Sequence, residues 1–328
     1  MDISVIIPSY NRAHLIGETI RSILGQSLPP QEIIVVDDGS TDDTQRVIAS
    51  FGGRVHYTRV RNGGVCRARN HGFSLSHSPW VAFCDSDDLW TTNHLKLHSE
   101  LRERLGEVPF SFSNFRIVRD GVWEERTKFE EAPEGFWVGA EAIPGGWWPI
   151  ADMYGRVLRF QPIFPSAVVM SRDHFESVGG FDPQFSRTPS EDLDFILRSV
   201  EHSKVAALEA ATVGIRRHGE NFSGDLLATL QGEIEILYHA RANHATKADY
   251  SAIIDDEISY RSGVAAEVAF ECAEVAAFRK LVREVPRSQR HLKLSLKNAV
   301  MSLPSPLASF CSRNLSRLSS HYRERTAR

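Results

Sequence analysis

The sequence of 328 residues predicts an α/β protein that has a mostly parallel sheet, helices on both faces of that sheet, and a helical C-terminal extension. Three observations support this fold class. Short β-branched runs alternate with helical patterns over the first hundred residues. Each of these runs is followed by a polar segment. Beyond Gly224, the spacing of the apolar residues is helical.

The alternation assigns four strands and four helices to the first 105 residues. The strands cover residues 3–7, 32–36, 54–60 and 80–84, and the helices cover about 13–26, 42–51, 65–76 and 92–105. After Pro109, alternating residues on both sides of Asp120 and Gly121 predict a hairpin. A buried strand is expected at 165–171, and Ser190 is expected to cap a helix that begins at about residue 191.

Polar segments follow all four N-terminal strands. In chain order they read PSYNR, DDGS, RNGG and DSDD. The carboxyl ends of parallel strands meet at one edge of an open sheet, and ligands bind at that edge. We therefore expect a binding site where these four segments come together.

The composition is that of a globular chain, because 42% of the residues are hydrophobic and 24% are charged. The four cysteines lack C-x-x-C spacing, so neither a disulfide framework nor a zinc knuckle is indicated. A reducing compartment is therefore expected. No basic segment leads into a long apolar run at the N-terminus, so no signal peptide is expected. The apolar runs fall far short of the roughly 20 residues that cross a bilayer, so no transmembrane segment is expected. No nucleic-acid partner is expected either.

Two domains are expected. Residues 1–222 form the first domain, which divides into two halves, 1–108 and 109–222. Residues 223–328 form a helical C-terminal region that ends in a basic tail.

The basic tail, residues 279–328, holds 12 Lys and Arg against 2 Asp and Glu. Since the net charge of the chain is -4, the preceding 278 residues carry -14. The tail mixes Leu, Val and Phe with its basic residues, a composition that suits an anionic membrane surface. Packing of the tail on the acidic body of the chain, or on a partner, is an equal alternative.

Seven segments occur in a characteristic order: ISVIIPSYNR, EIIVVDDGSTDDT, RNGGVCRARNHG, FCDSDDLW, VGGFDPQF, SEDLDF and RRHGENFS. Together, over residues 1 to about 222, they resemble the family-2 glycosyltransferases, enzymes that move a sugar from a nucleotide donor onto an acceptor. The resemblance implies the GT-A fold, a Rossmann-like arrangement of a mostly parallel sheet between helices, in which the half 1–108 would bind the nucleotide-sugar and the half 109–222 the acceptor.

The resemblance also implies an inverting, metal-dependent enzyme. A UDP-sugar is the favoured donor, and Mn²⁺ or Mg²⁺ is the expected cofactor. The acceptor would be a glycan, a lipid-linked glycan or another hydroxyl compound, used in the synthesis of cell-surface polysaccharides or glycoconjugates. The enzyme would be cytoplasmic or peripheral on the cytoplasmic face of the membrane.

Two other classes of protein are open alternatives. A glycoside hydrolase would use paired carboxylates such as Asp88 and Asp192, but it would give the DDGS segment no role. A non-catalytic protein would bind a nucleotide-sugar without transferring it. The presence of Asp87 and His218 together with the other two acids argues against this third reading.

Three carboxylates lie within four residues after the strand at 80–84: Asp85, Asp87 and Asp88. A hard divalent cation that bridges two phosphates stabilises a leaving diphosphate, and these carboxylates can hold that cation and a ribose hydroxyl. Asp87 and Asp88 are the candidate metal ligands, and Asp85 is a candidate donor ligand. Which of Asp87 and Asp88 binds the metal directly is open. The preference of acids for a helix N-terminus explains only one of the three.

PSYNR and DDGS are the expected nucleotide pocket. The resemblance implies that Asp38 accepts a hydrogen bond from the base and that Pro8, Tyr10 and Arg12 contact base and ribose. DDGS is also good turn chemistry in any protein. The glycines of RNGG permit a close approach of the backbone to the donor.

Arginines are the candidate partners of the donor phosphates. Arg67 and Arg69 are expected to touch phosphates or ribose, although an arginine on a surface helix is more often only solvated. Arg216 and Arg217 are candidates to neutralise the diphosphate. The resemblance adds the next residue, His218, as a metal ligand.

SEDLDF places Glu191 and Asp192 at the start of a helix. An inverting transfer needs a base that takes the proton of the acceptor hydroxyl as this hydroxyl attacks the anomeric carbon. The resemblance assigns the base to Asp192 and gives Glu191 the task of orienting the loop. The residue types alone are explained by the helix dipole, which favours acids in the first turn.

Residues 131–150 are rich in Gly, Pro and Trp and are expected to form an ordered loop or lid. Trp137, Trp147 and Trp148 would stack on an acceptor sugar or a lipid, or they would form a minor core. The segment VGGFDPQF is expected at the acceptor side of the site.

Overall fold

The structure is a computed structural model that describes residues 2–106, 108–201, 203–218 and 225–326, with side chains described as far as residue 315. The contacts between Cα atoms divide the chain into two compact units, residues 1–221 and 222–328. The described part of the first unit combines a sheet with helices, and the described part of the second is helical.

The sheet of the first unit has eleven strands in the described part of the chain. They are β1 Ile3–Ser9, β2 Glu32–Asp37, β3 His56–Arg59, β4 Trp80–Phe83, β5 Leu89–Trp90, β6 Phe110–Arg119, β7 Val122–Thr127, β8 Ala140–Ile143, β9 Gly146–Ile150, β10 Val168–Ser171 and β11 Val205–Arg217. Their order across the sheet is β3-β2-β1-β4-β10-β6-β11-β9-β8, while β5 pairs with β11 and β7 with β6.

Strand direction follows the alternation seen in the sequence. β3, β2, β1 and β4 are parallel to one another, as expected for β-α-β connections. β10 runs antiparallel between β4 and β6, and β11 is parallel to β6. The sheet is therefore mixed with a mostly parallel core, which confirms the predicted α/β class. The loops after β1 to β4 consequently leave the same edge of the sheet.

Helices cover both faces of the sheet. They are α1 Ile16–Leu24, α2 Thr44–Ala49, α3 Val65–Leu75, α4 His94–Leu105, α5 Met153–Arg159, α6 Arg172–Ser177 and α7 Asp192–Val200. Val5 of β1 shares a buried cluster with Ile20 of α1. Ile6, on the opposite face of the strand, lies against α3, where a Cβ on Gly72 would come within 2.4 Å of its Cγ2. Only glycine lets α3 lie this close to the sheet.

Two local predictions have different outcomes. The predicted hairpin joins β6 to β7, and Asp120 and Gly121 have φ angles of 50° and 78°, the left-handed region that tight hairpin turns use. The predicted cap of α7 is wrong, because Glu191 occupies the N-cap position and Ser190 has a φ of 65°. A capping residue has an extended backbone, so the left-handed Ser190 does not present its hydroxyl to the helix amides.

Residues 131–150 contribute the hairpin β8–β9, which extends the sheet beyond β11. Trp137 and Trp147 stack with ring centroids 4.1 Å apart and 9° between their planes, and Phe129 packs against both. Trp148 packs instead in a separate cluster with residues of α4. These aromatic residues build minor cores, one of the two expected arrangements. Their contact with an acceptor stays a prediction.

The second unit is helical where it is described, as the sequence pattern predicts. Its helices are α8 Leu226–Asn243, α9 Lys247–Glu271, α10 Val275–Glu284, α11 Leu292–Met301 and α12 Ser305–Thr326. Ile236, Ala265 and Phe278 are fully buried in it. In the described residues, no helix combines the length and the apolar character that a membrane span requires.

Candidate active site

Hydrogen bonds from side chain to backbone hold the loops after β1 and β2 together. Asn11 has a φ of 51°, and its Oδ1 accepts from the Thr41 amide at 2.7 Å. The Asn11 amide donates to Ser40 Oγ at 2.9 Å, and the Arg12 amide donates to Thr44 Oγ1 at 3.0 Å. The two segments predicted as the nucleotide pocket are therefore joined at the edge of the sheet.

Tyr10 gives this pocket an accessible aromatic ring. The residue is 46% exposed, whereas Pro8 is buried within β1. An exposed ring at a strand end is available to stack on a flat ligand such as a base. Arg12 extends toward the acidic segment after β4, where its Nε lies 3.5 Å from Asp87 Oδ2. Of the three residues predicted to contact base and ribose, Tyr10 is therefore accessible to a ligand, Pro8 is buried, and Arg12 lies near Asp87.

Asp38 holds the loop that follows β3. Its two carboxylate oxygens accept from the amides of Gly63 and Gly64, both at 2.8 Å, and the residue is 4% exposed. Gly64 has a φ of 89°, and a Cβ there would lie 2.3 Å from the Ser186 carbonyl oxygen, so a larger residue does not fit. Asp38 therefore shapes the wall of the pocket. Its hydrogen bond to a base stays a prediction.

Asp88 is the enclosed member of the acidic segment after β4. Ser166 donates to its Oδ2 at 2.5 Å, and the Arg216 amide donates to its Oδ1 at 3.2 Å. Burial, and then the neighbouring charges of Asp87 and Asp85, raise the pKa of Asp88 well above its ordinary value. Both oxygens thus bind groups of the protein, which ties β11 to the loop after β4.

Asp87 faces a histidine that follows β11. His218 Nε2 lies 3.1 Å from Asp87 Oδ2. Two adjacent ligands of an octahedral cation, each with a bond of about 2.1 Å, are about 3 Å apart. The Asp87–His218 pair is hydrogen-bonded here, and its spacing and ligand chemistry would also suit one divalent cation. The continuation of the RRHGENFS segment, residues 219–224, lies outside the described residues.

Arg69 connects the strand-end acids with the helix-start acids. Its side chain is 2% exposed, and its Nη2 and Nη1 bind Asp85 Oδ1 at 2.7 Å and Glu191 Oε1 at 2.8 Å. The guanidinium lies 4.8 Å from the centroid of the Phe181 ring. The sequence predicts a contact between Arg69 and the donor, but the structure places it as a bridge between two carboxylates. Asp85, with a side chain that is 31% exposed, is the more accessible end of this bridge.

Asp192 begins α7 and is 8% exposed. Its Oδ2 accepts from Gln161 Nε2 at 3.1 Å. Burial, followed by the charge of Glu191, raises the pKa of Asp192 to about 8, although Arg69 acts in the opposite direction. A base works best when its pKa lies near the operating pH. The surroundings of Asp192 therefore suit the proton acceptor that the sequence predicts at this position.

The other candidate arginines have contrasting positions. Arg67 is exposed on α3. Its side chain runs along the loop after β3, because a Cβ built on Gly63 would lie only 2.8 Å from the Arg67 Cδ. Arg216 is 7% exposed and binds Glu18 Oε2 at 2.6 Å and Thr19 Oγ1 at 3.0 Å. The guanidinium of Arg216 therefore fastens β11 to α1, whereas Arg67 is accessible to a ligand.

Sequence reasoning did not identify three residues that shape the site. Gln161 donates to Asp192 and Ser166 donates to Asp88, yet both donors lie outside the seven segments. The side chain of Asn70 donates to the Phe181 carbonyl oxygen at 2.7 Å and accepts from the Phe181 amide at 2.9 Å. Asn70 lies next to Arg69 in the segment RNGGVCRARNHG, and its place in that segment is the one feature of the sequence that could have identified it.

Residues 4–163 match the model of the family described as Glycosyl transferase family 2. The putative teichuronic acid biosynthesis glycosyltransferase TuaG of Bacillus subtilis is 38% identical over 138 residues, which make up 40% of this chain and 53% of that protein. WfgD of Escherichia coli, a UDP-Glc:alpha-D-GlcNAc-diphosphoundecaprenol beta-1,3-glucosyltransferase, is 32% identical over 120 residues, 36% of this chain and 47% of the other. The matched region thus spans about half the length of these two relatives.

The crystal structure of residues 1–349 of S. aureus TarS in complex with UDP-GlcNAc is similar to this chain, with a TM-score of 0.63 and 17% sequence identity. The similarity covers 98% of this chain and 92% of that one. At this level of identity the likeness concerns the fold alone. Residues 4–163 are therefore a glycosyl transferase family 2 domain, and the unit that contains them has the GT-A fold.

Proposed function

We propose that the chain is an inverting glycosyltransferase that moves a sugar from a UDP-sugar to a hydroxyl group of an acceptor. One observation carries this proposal: the joined nucleotide loops of the glycosyl transferase family 2 domain, residues 4–163, lie at the sheet edge where the Asp87–His218 pair and the buried carboxylate of Asp192 are also found. These groups supply donor binding, a site for a cation, and a proton acceptor. The complex of TarS with UDP-GlcNAc supports the choice of a UDP-sugar.

Mn²⁺ or Mg²⁺ is the proposed cofactor, with Asp87 and His218 as its protein ligands. When bound, the cation would neutralise the charge that develops on the leaving diphosphate. Asp88 is proposed as a framework residue, because both of its oxygens bind groups of the protein. Asp85 is proposed to hold a ribose hydroxyl from its exposed side. We thus propose Asp87, and not Asp88, as the direct metal ligand, a choice that the sequence alone left open.

Asp192 is the proposed general base. It takes the proton from the acceptor hydroxyl while the hydroxyl oxygen attacks the anomeric carbon on the face opposite the diphosphate, so the configuration at that carbon inverts. Gln161 orients the carboxylate through Oδ2, and the proton is assigned to Oδ1. Glu191, held by Arg69, keeps the loop before α7 in place.

A lipid-linked glycan is the proposed acceptor. WfgD and WfaP of Escherichia coli are both described as glucosyltransferases for alpha-D-GlcNAc-diphosphoundecaprenol, and WfaP is 35% identical over 126 residues. An enzyme with such an acceptor works at a membrane surface, so we place the chain at the cytoplasmic face as a peripheral protein. Polysaccharide or glycoconjugate synthesis is the corresponding process. The hydrolase alternative has no support among the matched proteins.

The test is an assay of the full chain with UDP-, dTDP- and GDP-sugars, Mn²⁺ or Mg²⁺, and a synthetic GlcNAc-diphospho-lipid. A donor at 100 times its dissociation constant should first raise the free energy of unfolding by about 2.7 kcal/mol, visible as a thermal shift. Release of the nucleoside diphosphate should then depend on the acceptor, and the new linkage should have inverted configuration. Binding of no nucleotide-sugar would overturn the proposal. Hydrolysis of a glycan without any nucleotide would favour the hydrolase instead.

A further inference from the structure

Two helices of the second unit, α11 and α12, expose an unusual number of large apolar side chains. Of the thirteen large apolar residues that are exposed in the described part of the chain, six lie within residues 292–315. They are Leu292, Leu296, Leu303, Leu307, Phe310 and Leu315. Single exposed apolar residues are ordinary on a protein surface, but a concentration of them marks a surface that binds something.

α11 has two apolar stripes. Leu294 and Met301, seven residues apart, are buried and face the rest of the second unit. Leu292 and Leu296, four residues apart on another side of the helix, are 76% and 61% exposed. The first stripe explains how α11 packs in its own unit. The second stripe has no such explanation.

α12 repeats this arrangement. Ala308 and Ser312 are buried, and the Ser312 hydroxyl donates to the Phe270 carbonyl oxygen of α9. Leu307 and Phe310, three residues apart, are 54% and 66% exposed. Each of the two helices therefore has one side that packs in the unit and an outward side that carries Leu or Phe.

The charged residues in this stretch of the sequence have one sign. Between Glu284 and Glu324 the sequence has no Asp or Glu, while it has seven Lys and Arg. Within the described side chains, Arg287 and Arg313 are exposed, whereas Lys297 is buried near an acid of α9. The exposed apolar residues of α11 and α12 thus lie in a basic stretch of sequence, and the acid that contacts α11, Glu267 of α9, is paired with Lys293 and Lys297.

We propose that this surface, the outward sides of α11 and α12, docks on an anionic lipid bilayer. Helices that lie in a membrane interface combine a Leu- and Phe-bearing face with Lys and Arg, because the bilayer offers both an acyl region and negative headgroups. A second copy of this chain is a poorer occupant, since like charge would then meet like charge. If the chain has the proposed function, on which this last step rests, the docked surface would bring it to the membrane that holds a lipid-linked acceptor.

Vesicle sedimentation of the full chain tests the docking surface. The probes are vesicles of phosphatidylcholine alone and of phosphatidylcholine with phosphatidylglycerol, without donor or acceptor. Leu296→Ser combined with Phe310→Ser should weaken binding to the anionic vesicles by about tenfold or more. Arg287→Gln and Arg313→Gln should each weaken it by about fivefold, and added salt should reduce this effect.

The matched control is Leu226→Ser combined with Tyr260→Ser. These residues are 56% and 69% exposed on α8 and α9 of the same unit, so the control removes similar side chains from another surface. Its vesicle binding should equal that of the unchanged chain. All variants should keep the helical circular dichroism and the melting temperature, because every substituted side chain is exposed.

Two outcomes would overturn the docking surface. One is equal binding of the chain to neutral and anionic vesicles, or none to either. The other is a chain that self-associates in sedimentation equilibrium and becomes monomeric in Leu296→Ser with Phe310→Ser while vesicle binding stays the same. Because no sugar donor takes part, either outcome leaves the transferase proposal standing. Failure of donor binding would, conversely, leave the membrane surface standing.

Discussion

The site contains two acidic pairs, one after β4 and one at the start of α7, and neighbours within each pair have different surroundings. Asp88 is enclosed by protein donors, whereas Asp87 faces His218. Glu191 has a guanidinium as its partner, whereas Asp192 has the neutral amide of Gln161. In each pair one acid is bound into the framework and the other is proposed for the chemistry. Adjacent residues of the same type thus acquire different roles from their partners and burial.

The strongest way to break this comparison is to neutralise Asp192. Asp192→Asn keeps the shape of the side chain, so donor affinity should persist while turnover falls by about 10² to 10⁴, or roughly 3 to 5 kcal/mol of activation free energy. Single-turnover transfer at saturating donor, compared with donor titration, measures the two separately. Glu191→Gln, the framework neighbour, should lose less. A rate for Asp192→Asn above about a tenth of the original would contradict the assignment.

The next largest effect concerns the bridge between the pairs. Arg69→Met leaves Glu191 and Asp85 without their shared cation, and removing one partner of a buried ion pair costs about 3 to 5 kcal/mol. Because the Asp85 side chain is partly exposed, a loss near the lower end is expected. Denaturant unfolding measures it.

Arg67→Met is the matched control for the bridge. It removes the same charged group from an exposed position two residues away on α3 and should change the free energy of unfolding by less than about 0.5 kcal/mol. Equal stability of the two variants would show that Arg69 does not hold the pairs together.

A third experiment separates the acids of the strand-end pair. Asp87→Asn should weaken Mn²⁺ binding by about tenfold or more, because a neutral amide replaces a charged ligand. Asp88→Asn should leave the Mn²⁺ affinity nearly unchanged and lower the free energy of unfolding by about 1 kcal/mol, since the amide disturbs only the hydrogen bond from Ser166. Titration calorimetry with Mn²⁺ decides between them. A larger loss of affinity in Asp88→Asn would reverse the two roles.

A further experiment concerns the dependence of the rate on pH. Since the pKa of Asp192 is raised to about 8, only a small fraction of Asp192 is in the carboxylate form at neutral pH, and this fraction should limit the rate. The single-turnover rate should rise about tenfold per pH unit below that value and level off above it. The residual rate of Asp192→Asn should be flat over the same range. A flat profile for the unchanged chain would exclude Asp192 as the titrating base.

The same carboxylate gives a stability test of opposite sign. The folded chain retains a proton that the unfolded chain has released, so this group makes the free energy of unfolding fall as the pH rises from about 4 to about 8. Asp192→Asn should make the decline less steep, whereas the contribution of Asp88, whose pKa is also raised, should remain. Chemical unfolding of both proteins at several pH values measures it.

The sequence predicts much of the framework, because strand and helix patterns are local. The strand expected at 32–36 is Glu32–Asp37, and the helix expected at 65–76 is Val65–Leu75. The cap expected at Ser190 fails because the turn before α7 imposes a left-handed backbone that the sequence pattern does not reveal. Local pattern therefore fixes the elements better than it fixes the turns at their ends.

The candidate site was predictable in its residue types but not in its division of roles. Asp88 is enclosed by Ser166, 78 residues away, and by the amide of Arg216, 128 residues away. Arg69 meets Glu191 across 122 residues. Such partners follow from strand order in the sheet, in particular from the place of β10 and β11, which no short segment of sequence contains.

Arg69 and Asn70 limit how this chain can be re-engineered by exchange of segments. Both are on α3, yet they bind Glu191 and Phe181, which lie far downstream. A chimaera that joined residues 1–108 of this chain to the following segment of a relative would separate Arg69 and Asn70 from the groups that they bind. The natural exchange module is therefore the complete first unit.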